Sequence, residues 1–107
     1  MSEMDKRRAS FENKFAHDAE LKFKAEARRN KMLGLWASEL MGMSQAEASD
    51  YVAQVIKSDF EEAGDEDVFR KIRGDFDAKN VEQSDHQIRR TMDEFLAKAI
   101  DQIENEG

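Results

Sequence analysis

Apolar residues along this chain recur at spacings of three and four, and no β-branched alternation extends to even five residues. That periodicity is helical and leaves no strand signal. Four segments carry it. The first spans about residue 5 to Met41 and ends before Gly42, which suits a left-handed position after a helix. Its two halves differ. Phe11, Phe15, Ala19 and Phe23 form a sparse stripe that drifts around the helix, whereas Met32, Leu33, Trp36, Ala37 and Leu40 form a true core stripe, with the change near Asn30.

The second segment is announced by Ser44-Gln-Ala-Glu47, whose cap and third residue can satisfy each other's exposed amides; Met43 and Ala48 occupy staple positions. Its expected buried face is Ala48, Val52, Val55, Ile56 and Phe60, and Glu61-Glu62-Ala63-Gly64 ends it. The third opens at GDEDVF with Asp65 as expected N-cap and Glu66 and Asp67 in the first turn, where the helix dipole favours acids. Val68, Phe69, Ile72 and Phe76 face inward, and Gly74 weakens the latter half. The fourth begins with a second capping box, Ser84 to Gln87, and carries the cleanest stripe: Ile88, Met92, Phe95, Leu96, Ala99, Ile100 and Ile103. The expected fold is all-α: a small four-helix bundle with short turns and a mobile or protruding N-terminal helical arm at residues 1 to about 20.

Composition supports this picture. At 107 residues the chain makes one domain; it has no proline, five glycines and 38% charged residues. Its 39% hydrophobic content falls below the globular norm of about 45–50%, so part of the chain is expected outside the core. Without cysteine there are no disulfides or thiolate sites, which fits a reducing cytoplasm. No apolar run reaches the roughly 20 residues of a membrane span, and the charged MSEMDKRRAS start has no signal-peptide core. The net charge of −7 is uneven: residues 1–31 hold nine Lys/Arg against six Asp/Glu, and residues 32–107 hold eight against eighteen. A basic end on an acidic body suits an acidic partner, or plain solubility; the acidic body disfavours nucleic acid.

Catalytic chemistry finds no foothold. His17 and His86 are isolated, without the i, i+4 partner of a helical zinc site. The many acid pairs, such as Asp65/Asp67 and Glu61/Glu62, lack an apolar wall that would raise a pKa. GDEDVFRKIRGD superficially resembles a calcium loop but lacks its regular acid spacing and closing Glu. No phosphate-cradling loop or nucleophile motif is present, so no cofactor or metal is expected. Trp36 reads as the largest core anchor, and Met32, Met41, Met43 and Met92 as core filling rather than a plastic binding surface. The exception is the opening stretch. Phe11 and Phe15 either pack loosely on the bundle or enter a partner's groove, where i, i+4 anchors are typical.

FENKFAHDAELKFKAEARRNKMLGLWA, followed by Ser58-Asp59-Phe60 and GDEDVFRKI, closely resembles the alphaproteobacterial F1FO-ATP synthase (F1-ATPase) inhibitor subunit zeta family, over essentially the whole chain. The resemblance implies a non-enzymatic regulator: a four-helix bundle, residues 20–107, bearing an inhibitory arm, residues 1–19. By analogy with the mitochondrial F1 inhibitor protein, the arm would become helical in a catalytic interface between alpha and beta subunits, reach gamma, and block rotation in the hydrolysing direction. Carried onto this chain, Phe11 and Phe15 would be anchors, and Lys6, Arg7, Arg8, Glu12 and Lys14 polar or ionic contacts. The resemblance also implies a cytoplasmic protein, at the cytoplasmic face of the inner membrane when bound to F1, and a monomer when free. Two other readings stand beside it. One is a nucleotide-sensing bundle holding ADP or ATP weakly near Arg28, Arg29, Lys31 or Arg70; the other is an assembly factor that binds F1 without altering hydrolysis.

Overall fold

The computed structural model describes residues 19–61 and 64–106, and within them the chain is all-α. Four helices follow one another: α1 (Ala19–Leu40), α2 (Gln45–Ser58), α3 (Glu66–Ala78) and α4 (Asp85–Glu106). The part of the first expected helix that precedes Ala19 lies outside the described residues. None of the four helices is long and apolar enough to cross a membrane.

Local chemistry sets most of the boundaries. At the end of α1 the Met43 amide donates to the Ser38 carbonyl at 3.0 Å and the Gly42 amide to Glu39 at 3.1 Å, with Gly42 at φ +70°. This is the paired closure that a left-handed residue permits. Asn80, at φ +57°, closes α3 the same way, with the Val81 amide reaching the Phe76 carbonyl at 2.9 Å. Both expected capping boxes form: the Glu47 amide donates to Ser44 Oγ at 3.2 Å and the Gln87 amide to Ser84 Oγ at 3.1 Å, each with the reciprocal bond.

Asp65 behaves differently. Its side chain caps nothing; instead its carboxylate accepts from Arg89 Nη1 at 2.8 Å, while Glu66 takes the other guanidinium nitrogen and Phe69 lies under the cation, 4.4 Å from ring centre to Cζ. The expected cap is spent on fastening α4 to α3. Arg73 closes the far end of the same helix pair. It donates to Asp77, to the Gln83 carbonyl at 2.6 Å and to Asp85 at 3.0 Å.

The main core joins all four helices through Leu33, Ala37, Tyr51, Val55, Val68, Ile72, Phe76, Ile88 and Met92. Trp36 is half-buried against it, edge-on to Phe76 at 5.5 Å and to Phe95 at 6.5 Å, as its role of anchor requires. Two expected core residues are outside. Leu40, the last residue of α1, is 41% exposed, and Phe60 is 65% exposed because α2 stops at Ser58 and its register is lost two residues earlier. Tyr51, absent from the expected face of α2, is buried in the main core, and its hydroxyl donates to Asp75 Oδ2 at 2.7 Å. Burial, reinforced by Asp75, raises the Tyr51 pKa above its ordinary range, so the hydroxyl keeps its proton.

Gly34 is where α1 and α2 come closest. A Cβ there would lie 3.0 Å from both the Cα and a methyl of Val52, so the helices would have to separate. Gly34→Leu is expected to lower the unfolding free energy by about 1–3 kcal/mol through overpacking, measured by urea denaturation.

Candidate protein-interaction site

The helices differ in length, and this shapes the site. α1 and α4 have 22 residues each, about 33 Å, against 14 and 13 for α2 and α3. The N-terminal half of α1 therefore runs on past the main core and packs on the C-terminal half of α4. Ala25 and Ile103 are buried there, with Leu21, Leu96 and Ile100 around them. Arg28 closes this end with a two-pronged bond to Glu106, at 2.6 and 3.1 Å, which holds the Glu106 carboxyl below its usual pKa.

A second fastening is buried. Arg29 and Asn30 are 3% and 1% exposed. Arg29 Nε donates to Asn30 Oδ1 at 2.9 Å, and Asn30 Nδ2 donates to Asp59 Oδ2 at 2.9 Å. An Arg29 Nη2 lies 3.5 Å from the same carboxylate oxygen. Asp59 is the C-cap of α2, so the network pins the end of α2 to the middle of α1. Burial pushes the Asp59 carboxyl up; Asn30 and Arg29 oppose the shift, while Asp67 and Asp65 add to it.

Beside this clamp stands an aromatic pair. Phe60, next to Asp59, meets Phe23 at 5.9 Å between ring centres, tilted by 34°. Phe23 is 55% exposed, and both rings present a face to solvent among exposed Lys22, Lys24 and Glu61. The sequence reading had no reason to join them, since it placed Phe60 in the core and Phe23 on the leading stripe. The expected partner contacts, Lys6, Arg7, Arg8, Phe11, Glu12, Lys14 and Phe15, lie outside the described residues.

The cations considered for ADP or ATP do not build a phosphate site among the described residues. Arg28 is taken by Glu106 and Arg29 by Asp59, on different neighbouring helix ends. Arg70 lines an open groove shared with Glu61, Asp67 and Asp75, whose carboxylates would repel phosphate. GDEDVFRKIRGD, superficially like a calcium loop, is folded largely into α3 instead. No group of three His, Cys, Asp or Glu among the described residues is arranged to hold a metal ion.

A family model described as ATPase inhibitor subunit zeta matches residues 1–102. The chain belongs to the ATPase inhibitor subunit zeta family. Among solved structures, a protein determined by solution NMR is similar to this zeta-family chain at 47% identity and a TM-score of 0.70, covering 81% of this chain and 99% of its own. No curated protein matches. Membership places the chain among ATPase inhibitors as a class and implies an ATPase as its partner. The zeta match starts at residue 1, so it takes in the segment before α1 as well as the bundle.

Proposed function

We propose that this chain inhibits ATP hydrolysis by the F1 sector of ATP synthase, with residues 1–19 as the inserted element and residues 20–107 as the holder. The arm enters an alpha/beta catalytic interface as a helix and approaches gamma. Phe11 and Phe15 fill apolar pockets there, while Lys6, Arg7, Arg8, Glu12 and Lys14 set register through charge. The holder stays outside, on the cytoplasmic face of the membrane that carries the synthase. No chemistry of the chain's own is involved.

One observation carries this reading: the zeta family match extends back to residue 1 and so takes in the segment before α1 together with the bundle and its core, caps and clamps. The expected result is that full-length protein, titrated into purified F1, lowers the rate of ATP hydrolysis to a small residue at saturation. Undiminished hydrolysis at excess protein would reject the proposal, and binding without a change of rate would favour the assembly factor.

A further inference from the structure

Resting on the reading just given, we propose that Phe23 and Phe60 form a second ATPase-binding element, on the bundle itself. It meets an apolar patch bordered by carboxylates on the outer rim of the interface that the arm enters.

Three observations converge on it. First, spacing: Phe23 stands on the four-residue series of Phe11, Phe15 and Ala19. If α1 continues through the arm, Phe23 follows Phe15 by eight residues, about 12 Å along the axis. An interface that receives Phe15 therefore has its rim within reach of Phe23. Second, exposure: the pair keeps 55% and 65% of its surface in water, although the satellite core under Leu21 and Ala25 is one face away on the same helix. Large aromatic rings held open at an otherwise polar surface are the usual anchors of protein interfaces. Third, charge: residues 1–18 carry four Lys/Arg and four Asp/Glu, whereas residues 19–31 carry five against two. The chain's positive excess thus lies along α1 on the Phe23 side of the pair rather than at the arm's tip, while Asp59 and Glu61 flank Phe60. With Arg28 and Arg29 matched internally, Lys22 and Lys24 are the exposed cations next to it, and they set the acidic character of the partner surface.

The clamp explains how the element keeps its shape. Phe23 and Asn30 are seven residues apart, on one side of α1. The Asn30–Asp59 bond thereby fixes the chain immediately before Phe60 and sets its ring beside Phe23. Preorganised rings lose little freedom on binding.

The test uses full-length protein with F1, read by hydrolysis titration and by direct binding to immobilised F1. Phe23→Ser with Phe60→Ser is expected to raise the half-inhibitory concentration at least tenfold and to weaken binding equally. Inhibition at saturation stays unchanged because the arm is intact. Leu35→Ser, which alters another exposed apolar residue elsewhere on α1, is expected to change neither. Circular dichroism and a thermal melt confirm that the variants fold; should the double variant not fold, Phe60→Ser alone, beyond the end of α2, carries the same expectation at smaller size. An unchanged half-inhibitory concentration overturns the proposal. A lowered one also overturns it, and would mean that the pair holds the chain's own arm in the free protein. A change of sedimentation coefficient with concentration that the double variant abolishes would assign the pair to self-association instead. If Phe11→Ala with Phe15→Ala leaves inhibition intact, the inserted-arm reading fails; the binding arm of the experiment still decides the role of Phe23 and Phe60.

Discussion

Deleting residues 1–19 is expected to abolish inhibition of F1 while leaving a bundle that melts cooperatively within a few degrees of the full-length protein. Every buried apolar side chain of the described structure comes from Ala25 onward, and α1's N-terminal turns are held by Leu21, Ala25 and the Arg28–Glu106 bond. The deletion takes none of these. On the other side of the ledger, Phe11 and Phe15 would each contribute about 1.5–3 kcal/mol when buried in a partner. Phe11→Ala with Phe15→Ala should therefore shift the half-inhibitory concentration by about two to four decades. Inhibition that survives the deletion would remove the arm from the mechanism. A truncated chain that no longer melts cooperatively would show instead that the segment belongs to the fold.

The largest effect on stability is expected at Arg29. Arg29→Ala leaves the part-buried Asp59 carboxylate without its cation, and the expected cost is about 3 kcal/mol, the lower end for breaking a buried pair. For a domain whose whole stability is about 5–15 kcal/mol, this is a large share. Urea denaturation at neutral pH would measure it. The penalty has a pH signature. Burial raises the Asp59 pKa in the folded state above that of the unfolded chain, so folding favours the protonated carboxyl. As pH falls through that raised value Asp59 becomes neutral and no longer needs Arg29. The gap between wild type and Arg29→Ala should narrow on acidification from neutral pH and widen as the carboxyl ionises. A gap that is constant with pH would mean that Arg29 acts by packing alone.

What could be read from the sequence was local, and what could not was tertiary. The Ser44 and Ser84 boxes, the turn at Gly42 and the stripe from Ile88 to Ile103 depend on residues within a turn or two of one another, and they are found as expected. Asp65 had the right type and place for a cap, but Arg89, 24 residues away, competes for its carboxylate and takes it. Phe60 fitted the stripe of α2 by spacing; the helix ends before reaching it. Tyr51 stands three residues after Ala48 and four before Val55, on the spacing of that face, and its burial depends on Asp75, 24 residues away, which accepts from its hydroxyl. Arg29 and Asn30 gave no signal at all. Charged and amide side chains read as solvated, and only the approach of Asp59 from α2 makes their burial affordable. The roles of Phe11 and Phe15 came from the family resemblance, and these residues lie outside the described structure.

The extension of α1 beyond the main core has a mechanical consequence. On the proposed function the chain would stop a rotor and so bear load, and the direction of loading decides how much a small domain withstands. Tension applied along α1 at Ala19 does not peel the helix off one contact at a time. It must slide α1 past the antiparallel α4, breaking the Ala25–Ile103 cluster and the Arg28–Glu106 bond, and past α2, where Val52 seats against Gly34 and Asp59 grips Arg29 and Asn30. These contacts are loaded in parallel, as in a splice between two ropes. In this sense the bundle would act as an anchorage for tension applied along α1.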